Sequence, residues 1–172
     1  TSVRVLIYDS QYLLGSERTT ANRESGGSWF GGYRGFEFVV EGLEQVADCV
    51  RAYWQGSHLG KSITRIKDVL ICTRGMRDKC CARFGQPFFK EAEKKLQEKA
   101  LSDTRVWRVS HIGGHRFAPT AIVLPEGRYY ARLTLPALQA ILTRRGAMEG
   151  LSTVLKETYR GWGLLPRSLQ VF

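Results

Sequence analysis

The chain has 172 residues and is 43% hydrophobic, enough for one compact domain or one domain with an appendage, and no apolar run approaches the roughly 20 residues a membrane helix needs. Its formal net charge is +10, and residues 61–116 hold 14 Lys/Arg against 6 Asp/Glu, so +8 of the excess lies in that stretch. The opening residues lack a charged leader, apolar core and small-residue cleavage site, and Cys49, Cys72, Cys80 and Cys81 are not spaced as a disulfide framework; the expected location is a reducing cytoplasm.

Val3-Arg4-Val5-Leu6-Ile7-Tyr8-Asp9 reads as a strand. From about Gly15 to Gly35 the chain is rich in Gly, Ser, Thr, Asn and Arg, which predicts a long loop. Phe36–Val40 alternates as a second strand. Leu43, Val46, Ala47, Val50 and Trp54 recur at helical spacing and predict a helix over 43–55, ended by Gly56 and Gly60. Asp68–Cys72 is a short buried-strand signal. Pro87 suits a first helical turn, after which Phe89, Ala92, Leu96 and Ala100 share one face while Glu91–Lys95 and Lys94–Glu98 pair across the other. Arg105–Val109 alternates as a strand, and 121–124 with 128–133 flank Pro125-Glu126-Gly127 as a hairpin. Helices over 135–145 and 148–160 close the sequence.

The strands 68–72 and 105–110, joined through a helix, are expected to be parallel with a right-handed crossover. The expectation is therefore an α/β fold. A small mixed sheet flanked by helices occupies 67–172, and residues 1–66 form an N-terminal hairpin-and-helix extension packed on the same core.

Two cysteines and two histidines stand out. Eight residues separate Cys72 from Cys81, and three separate His111 from His115, which are two of only three histidines in the chain. Two thiolates and two imidazoles make a complete ligand set for a soft or borderline metal. Both pairs fall just past the carboxyl ends of the two parallel strands, where open α/β sheets place their sites. Gly113 and Gly114 let the backbone turn tightly between the histidines. Three readings compete: buried core thiols with ordinary loop histidines, a structural zinc ion, and a [2Fe–2S] cluster with mixed ligands. Zinc fingers bring their cysteines within two to four residues of each other, closer than here. Cys80 reads as a packed thiol beside the ligand set, Cys49 as a core residue of the first helix, and His58 as a surface residue.

The run Val69-Leu70-Ile71-Cys72-Thr73-Arg74-Gly75-Met76-Arg77-Asp78-Lys79-Cys80-Cys81, with Phe84-Gly85-Gln86-Pro87 after it, resembles the first motif of the sucrase/ferredoxin-like family. Trp107-Arg108-Val109-Ser110-His111-Ile112-Gly113-Gly114-His115-Arg116-Phe117-Ala118-Pro119-Thr120 resembles the second, Leu124–Tyr130 continues it, and Tyr159-Arg160-Gly161 is similar to the tail. Arg74 stands where the family commonly has a histidine, and Ala82 where a glycine often follows the cysteine pair; neither is a ligand position. The resemblance covers roughly residues 67–165. It implies a thioredoxin-like ferredoxin fold holding a [2Fe–2S] cluster on Cys72, Cys81, His111 and His115.

The leading expectation is a one-electron carrier, serving as a ferredoxin or as the electron-transfer component of a reductase, with no catalytic residue of its own. The basic stretch suits an acidic redox protein or reductase, or an anionic acceptor such as a ferric chelate. The alternative is a zinc-stabilised basic binding or sensor module for nucleic acid or an acidic protein, with Trp29, Phe30 and Tyr33 offering stacking surfaces; no nucleic-acid recognition motif accompanies them. Sucrose cleavage is not expected. Asp78, Asp103 and Glu126 are the acidic residues near the motifs, and none carries the paired-carboxylate context that glycoside hydrolysis generally needs.

Overall fold

The computed structural model describes residues 2–10, 33–57, 60–63, 66–76, 79–98, 103–143 and 148–163. They fall into two compact units, residues 1–65 and 66–172.

In the first unit β1 (Val3–Ser10) pairs antiparallel with β2 (Tyr33–Val40) from Val3↔Val40 to Ser10↔Tyr33. β2 starts earlier than composition suggested, because Tyr33, Arg34 and Gly35 complete the ladder opposite Ser10, Asp9 and Tyr8. Arg34 also reaches the Asp9 carboxylate at 2.9 Å. A third strand, β3 (Lys61–Ser62), adds to β2 and is too short to leave a period in the sequence. The expected helix over 43–55 is a 3₁₀ turn, Leu43–Gln45, followed by α1 (Val46–Trp54). It docks through buried Tyr53, whose ring lies against Phe36 and Phe38 and whose hydroxyl donates to Asp9 Oδ2 at 3.0 Å. Leu43 and Trp54, read from their spacing as part of the apolar face, are about three-quarters exposed (76% and 74%). Most of the expected long loop, with Trp29 and Phe30, lies outside the described residues, as does His58.

The second unit is built on a five-stranded sheet. β4 (Lys67–Cys72) lies between β5 (Thr104–Val109), parallel to it, and β6 (Ala121–Leu124), antiparallel to it. β7 (Arg128–Tyr130) extends the hairpin and β8 (Tyr159–Trp162) pairs outside β7. α2 (Gln86–Glu98) bridges β4 and β5, while α3 (Leu135–Thr143) and α4 (Met148–Thr158) lead from β7 to β8. A parallel βαβ pair, then an antiparallel hairpin, then helix, is the thioredoxin-like order, with β8 added at the outer edge.

Val69 and Ile71 on one face of β4 form the core with Phe88 and Phe89 of α2, Val123 of β6, and Leu138 and Ile141 of α3. Burying each such side chain stabilises the fold by about 1.5–3 kcal/mol. On the solvent side of α2 the expected Lys94–Glu98 pair forms at 4.0 Å, while Lys95 takes Glu98 at 3.1 Å rather than Glu91. β7 ends at Tyr130 instead of running to Leu133. Arg132 there adopts a left-handed φ of 51° and donates its N–H to Phe117 O at 2.7 Å, which turns the chain out of the ladder. β8 takes Tyr159 and Arg160, the end of the expected last helix, into the sheet, with Gly161 at φ 129° and pairing with β7. Among the described residues no helix is long and apolar enough to cross a membrane.

Candidate metal centre

Cys72 is the last residue of β4 and is fully buried. Strand alternation puts its side chain on the face opposite Val69 and Ile71. Its N–H donates to Thr120 O at 3.1 Å, one step beyond the Ile71↔Ala121 pair. The chain then passes Arg74 and Met76, both exposed, and re-enters a helix at Lys79 and Cys80.

Cys81, also fully buried, opens a π-helical turn, Cys81–Gly85, that runs directly into α2. The wide turn has a local cause. Pro87 has no N–H to give to a carbonyl four residues back, and its ring would crowd that carbonyl, so the helix opens just before it. Gly85 closes the turn against the first cysteine: a β-carbon at this position would collide with the Cys72 carbonyl oxygen. The sequence pointed to a helix start at Pro87 but gave no sign of this turn.

His111 and His115 follow β5. His111 stands two residues past Val109, and His115 opens a 3₁₀ turn, His115–Phe117. Between them Gly113 (φ 91°) and Gly114 (φ 69°) take the left-handed conformations that the pair of glycines suggested. Both imidazoles are half-buried.

The donor atoms of Cys72, Cys81 and His111 all lie within 4.8 Å of one another, and Cys81 Sγ is 3.7 Å from His111 Nδ1. His115 stands beside this trio, its ring centroid 5.9 Å from that of His111 and tilted by 39°. Cys80, half-buried, is not one of the three. Cys49 belongs to α1 of the other unit, where burial pushes its thiol pKa up. Arg77 and Asp78 lie outside the described residues.

Sequence reasoning missed Thr120. It follows the Ala118–Pro119 bond, which is cis, and is buried (4% exposed) opposite Cys72. Its hydroxyl oxygen is buried and has no hydrogen-bond partner among the described residues. It closes the second motif quoted above, but the motif gave it no role; the signal is its register against Cys72, which needs the strand pairing to be known.

The three chain segments that carry these donors share a second property. After Cys72 come Arg74 and Met76, with the guanidinium 3.2 Å from the Met76 sulfur. After Cys81 come Arg83 and Phe84, cation over ring at 5.4 Å. After His115 come Arg116 and Phe117, and the Phe117 ring also carries Arg132 at 4.9 Å and Arg160 at 5.1 Å. Met76, Phe84 and Phe117 are exposed, as are Arg74, Arg83, Arg116 and Arg132.

Proteins named "Altered inheritance of mitochondria protein 32" are similar to this chain. The one from Clavispora lusitaniae is 36% identical over 108 residues, covering 60% of this chain and 38% of its own length. The one from Debaryomyces hansenii is 31% identical over 98 residues, covering 54% and 34%. The chain thus spans little more than a third of the length of the curated relatives it matches. Among solved structures, a thioredoxin-like [2Fe–2S] ferredoxin from Aquifex aeolicus is similar at 17% identity, covering 60% of this chain and 97% of that one, with a TM-score of 0.44. Another crystal structure of the wild-type ferredoxin gives a TM-score of 0.39 over 47% and 85%. The family described as Sucrase/ferredoxin-like matches residues 12–161, and the chain belongs to it.

Proposed function

We propose that the second unit holds a [2Fe–2S] cluster on Cys72, Cys81, His111 and His115 and passes single electrons, as a ferredoxin or as the electron-transfer part of a reductase. The observation that carries this reading is the convergence of two fully buried cysteines and His111 within 4.8 Å, at the carboxyl ends of two adjacent parallel strands. The donor set fits the group. Thiolates suit iron–sulfur chemistry, and imidazoles replacing two of them leave less negative charge on the core, which raises the potential. When bound, the cluster supplies the redox chemistry. The protein supplies the donors, a buried floor at Cys72 and Cys81, and a rim that selects partners.

That rim favours an acidic partner. Each donor-bearing segment presents an arginine next to an exposed apolar side chain. Among the described residues Arg74, Arg83, Arg116 and Arg132 make no ion pair with a carboxylate, so their charge is available to an acidic redox protein, or to an anionic ferric chelate in the reductase variant. None of the four cysteines is in a disulfide, which suits a reducing compartment such as the cytoplasm.

A single zinc ion is the rival reading. It has one observation in its favour: the 3.7 Å separation of Cys81 Sγ from His111 Nδ1 is near the edge of a tetrahedron with metal–sulfur bonds of about 2.3 Å and metal–nitrogen bonds of about 2.0–2.1 Å. One measurement separates the two. The purified chain, isolated without oxygen, is expected to be brown, with visible charge-transfer bands and two irons and two acid-labile sulfides per chain. A colourless protein holding one zinc ion would overturn the cluster.

A further inference from the structure

We propose that the Thr120 hydroxyl donates a hydrogen bond to a sulfur of the metal centre, and that this bond raises the centre's reduction potential. The inference rests on the metal-centre reading above but uses a residue outside the ligand set. Cys72 and Thr120 face each other across the β4–β6 ladder, the N–H of one donating to the carbonyl of the other at 3.1 Å. Residues directly opposite in an antiparallel pair project their side chains to the same face, with β-carbons about 4.5–5.5 Å apart. The Thr120 side chain therefore leaves the sheet beside the Cys72 thiol. Its other neighbour is the histidine loop, since a β-carbon at Gly114 would lie 3.6 Å from Thr120 Cγ2. Thr120 thus stands between the two ligand-bearing segments.

A buried hydroxyl with nothing to bond keeps its full desolvation cost, and folded proteins seldom leave one. Among the described residues nothing accepts from Oγ1, the Cys72 and Cys81 sulfurs included. A group bound at the centre would supply the missing acceptor. Thiolates and bridging sulfides are anionic and accept hydrogen bonds, and a donor aimed at them draws charge off the core, stabilising the reduced form more than the oxidised one. Thr120 acts through sulfur without binding metal, as a positioning and tuning residue.

The test uses the full chain loaded with its metal, as Thr120→Val, which keeps the shape and removes the hydroxyl, and Thr120→Ser, which keeps the hydroxyl. Thr120→Ala replaces the valine variant if that one fails to fold. With iron and sulfide contents equal to the parent's, the valine variant is expected to have a lower potential. It should also lose part of the shift that exchange into D₂O produces in the iron–sulfur resonance Raman bands. The serine variant should recover both. A hydroxyl-free variant with the parent's potential and the parent's D₂O shift overturns the proposal. If the chain proves to hold zinc, the cluster reading fails separately. Cobalt(II) then replaces the zinc, and the thiolate-to-cobalt band is expected to move in the hydroxyl-free variant and return in the serine variant. An unmoved band overturns the hydrogen bond in that setting too.

Discussion

The two ends of β4 bury polar groups on the same face of the sheet, about 13 Å apart at roughly 3.3 Å per residue, and treat them in opposite ways. At the start of the strand Asp68 is fully buried and fully answered. Arg105, its register neighbour on β5, grips both carboxylate oxygens at 2.7 and 2.8 Å, and the Trp107 indole adds a third bond at 2.6 Å. At the end of the strand Cys72 meets Cys81, His111 and an unpartnered Thr120 hydroxyl. The first cluster is complete with protein atoms alone. The second gathers two thiols, an imidazole and a hydroxyl that has no partner among the described residues. Burial by itself therefore does not mark a functional site; the kind of group that is buried, and whether it is satisfied, points to one.

The largest expected effect breaks the second end. Cys72→Ser or Cys81→Ser is expected to abolish or greatly weaken cluster retention, while Cys80→Ser leaves it intact, as read by iron and acid-labile sulfide on each purified variant. Normal contents in Cys72→Ser would remove it from the ligand set. The first end breaks differently. Arg105→Leu leaves the Asp68 carboxylate buried without its main partner and is expected to cost about 3–5 kcal/mol, measured by urea unfolding. Adding Asp68→Leu to it should recover much of that loss, because two apolar residues carry no charge to desolvate. The folded double variant should still hold its metal; loss of the metal with the fold intact would show that the two ends are coupled.

How much of this contrast the sequence carried depends on the kind of signal. Cys72, Cys81, His111 and His115 are rare residue types in a tight pattern, so the ligand candidates were visible at once. The βαβ step around them was visible too, because α2 and the flanking strands have strong periods. The satisfied end was invisible. Asp68 reads as an ordinary polar residue opening a strand, and only the parallel register of β4 and β5 puts Arg105 and Trp107 around it. Thr120 stayed hidden for the same reason. Leu43 and Trp54 show the converse failure, since helical spacing identifies an apolar stripe but not whether the unit itself covers it.

Smaller effects sharpen the functional end. His111→Cys and His115→Cys are expected to keep a cluster at lower potential, since thiolate adds negative charge to the core. Redox titration that finds no change in either, with the cluster intact, would remove the histidines from the ligand set. The smallest expected effect is on encounter rates. Electron exchange with an acidic flavodoxin should slow as ionic strength rises, and Arg83→Glu or Arg116→Glu should slow it further at low salt and flatten the salt dependence. Stopped-flow traces that ignore both salt and charge reversal would detach the arginine rim from partner docking.

Gly85 gives the loop between the two cysteines the character of a clasped purse. Its missing side chain lets the backbone after Cys81 press on the carbonyl of Cys72, so the mouth of the loop is fixed by contact between main chains. Gly75 adds a second close approach, since a β-carbon there would collide with Ala82. A single methyl group at position 85 would push the two sulfurs apart.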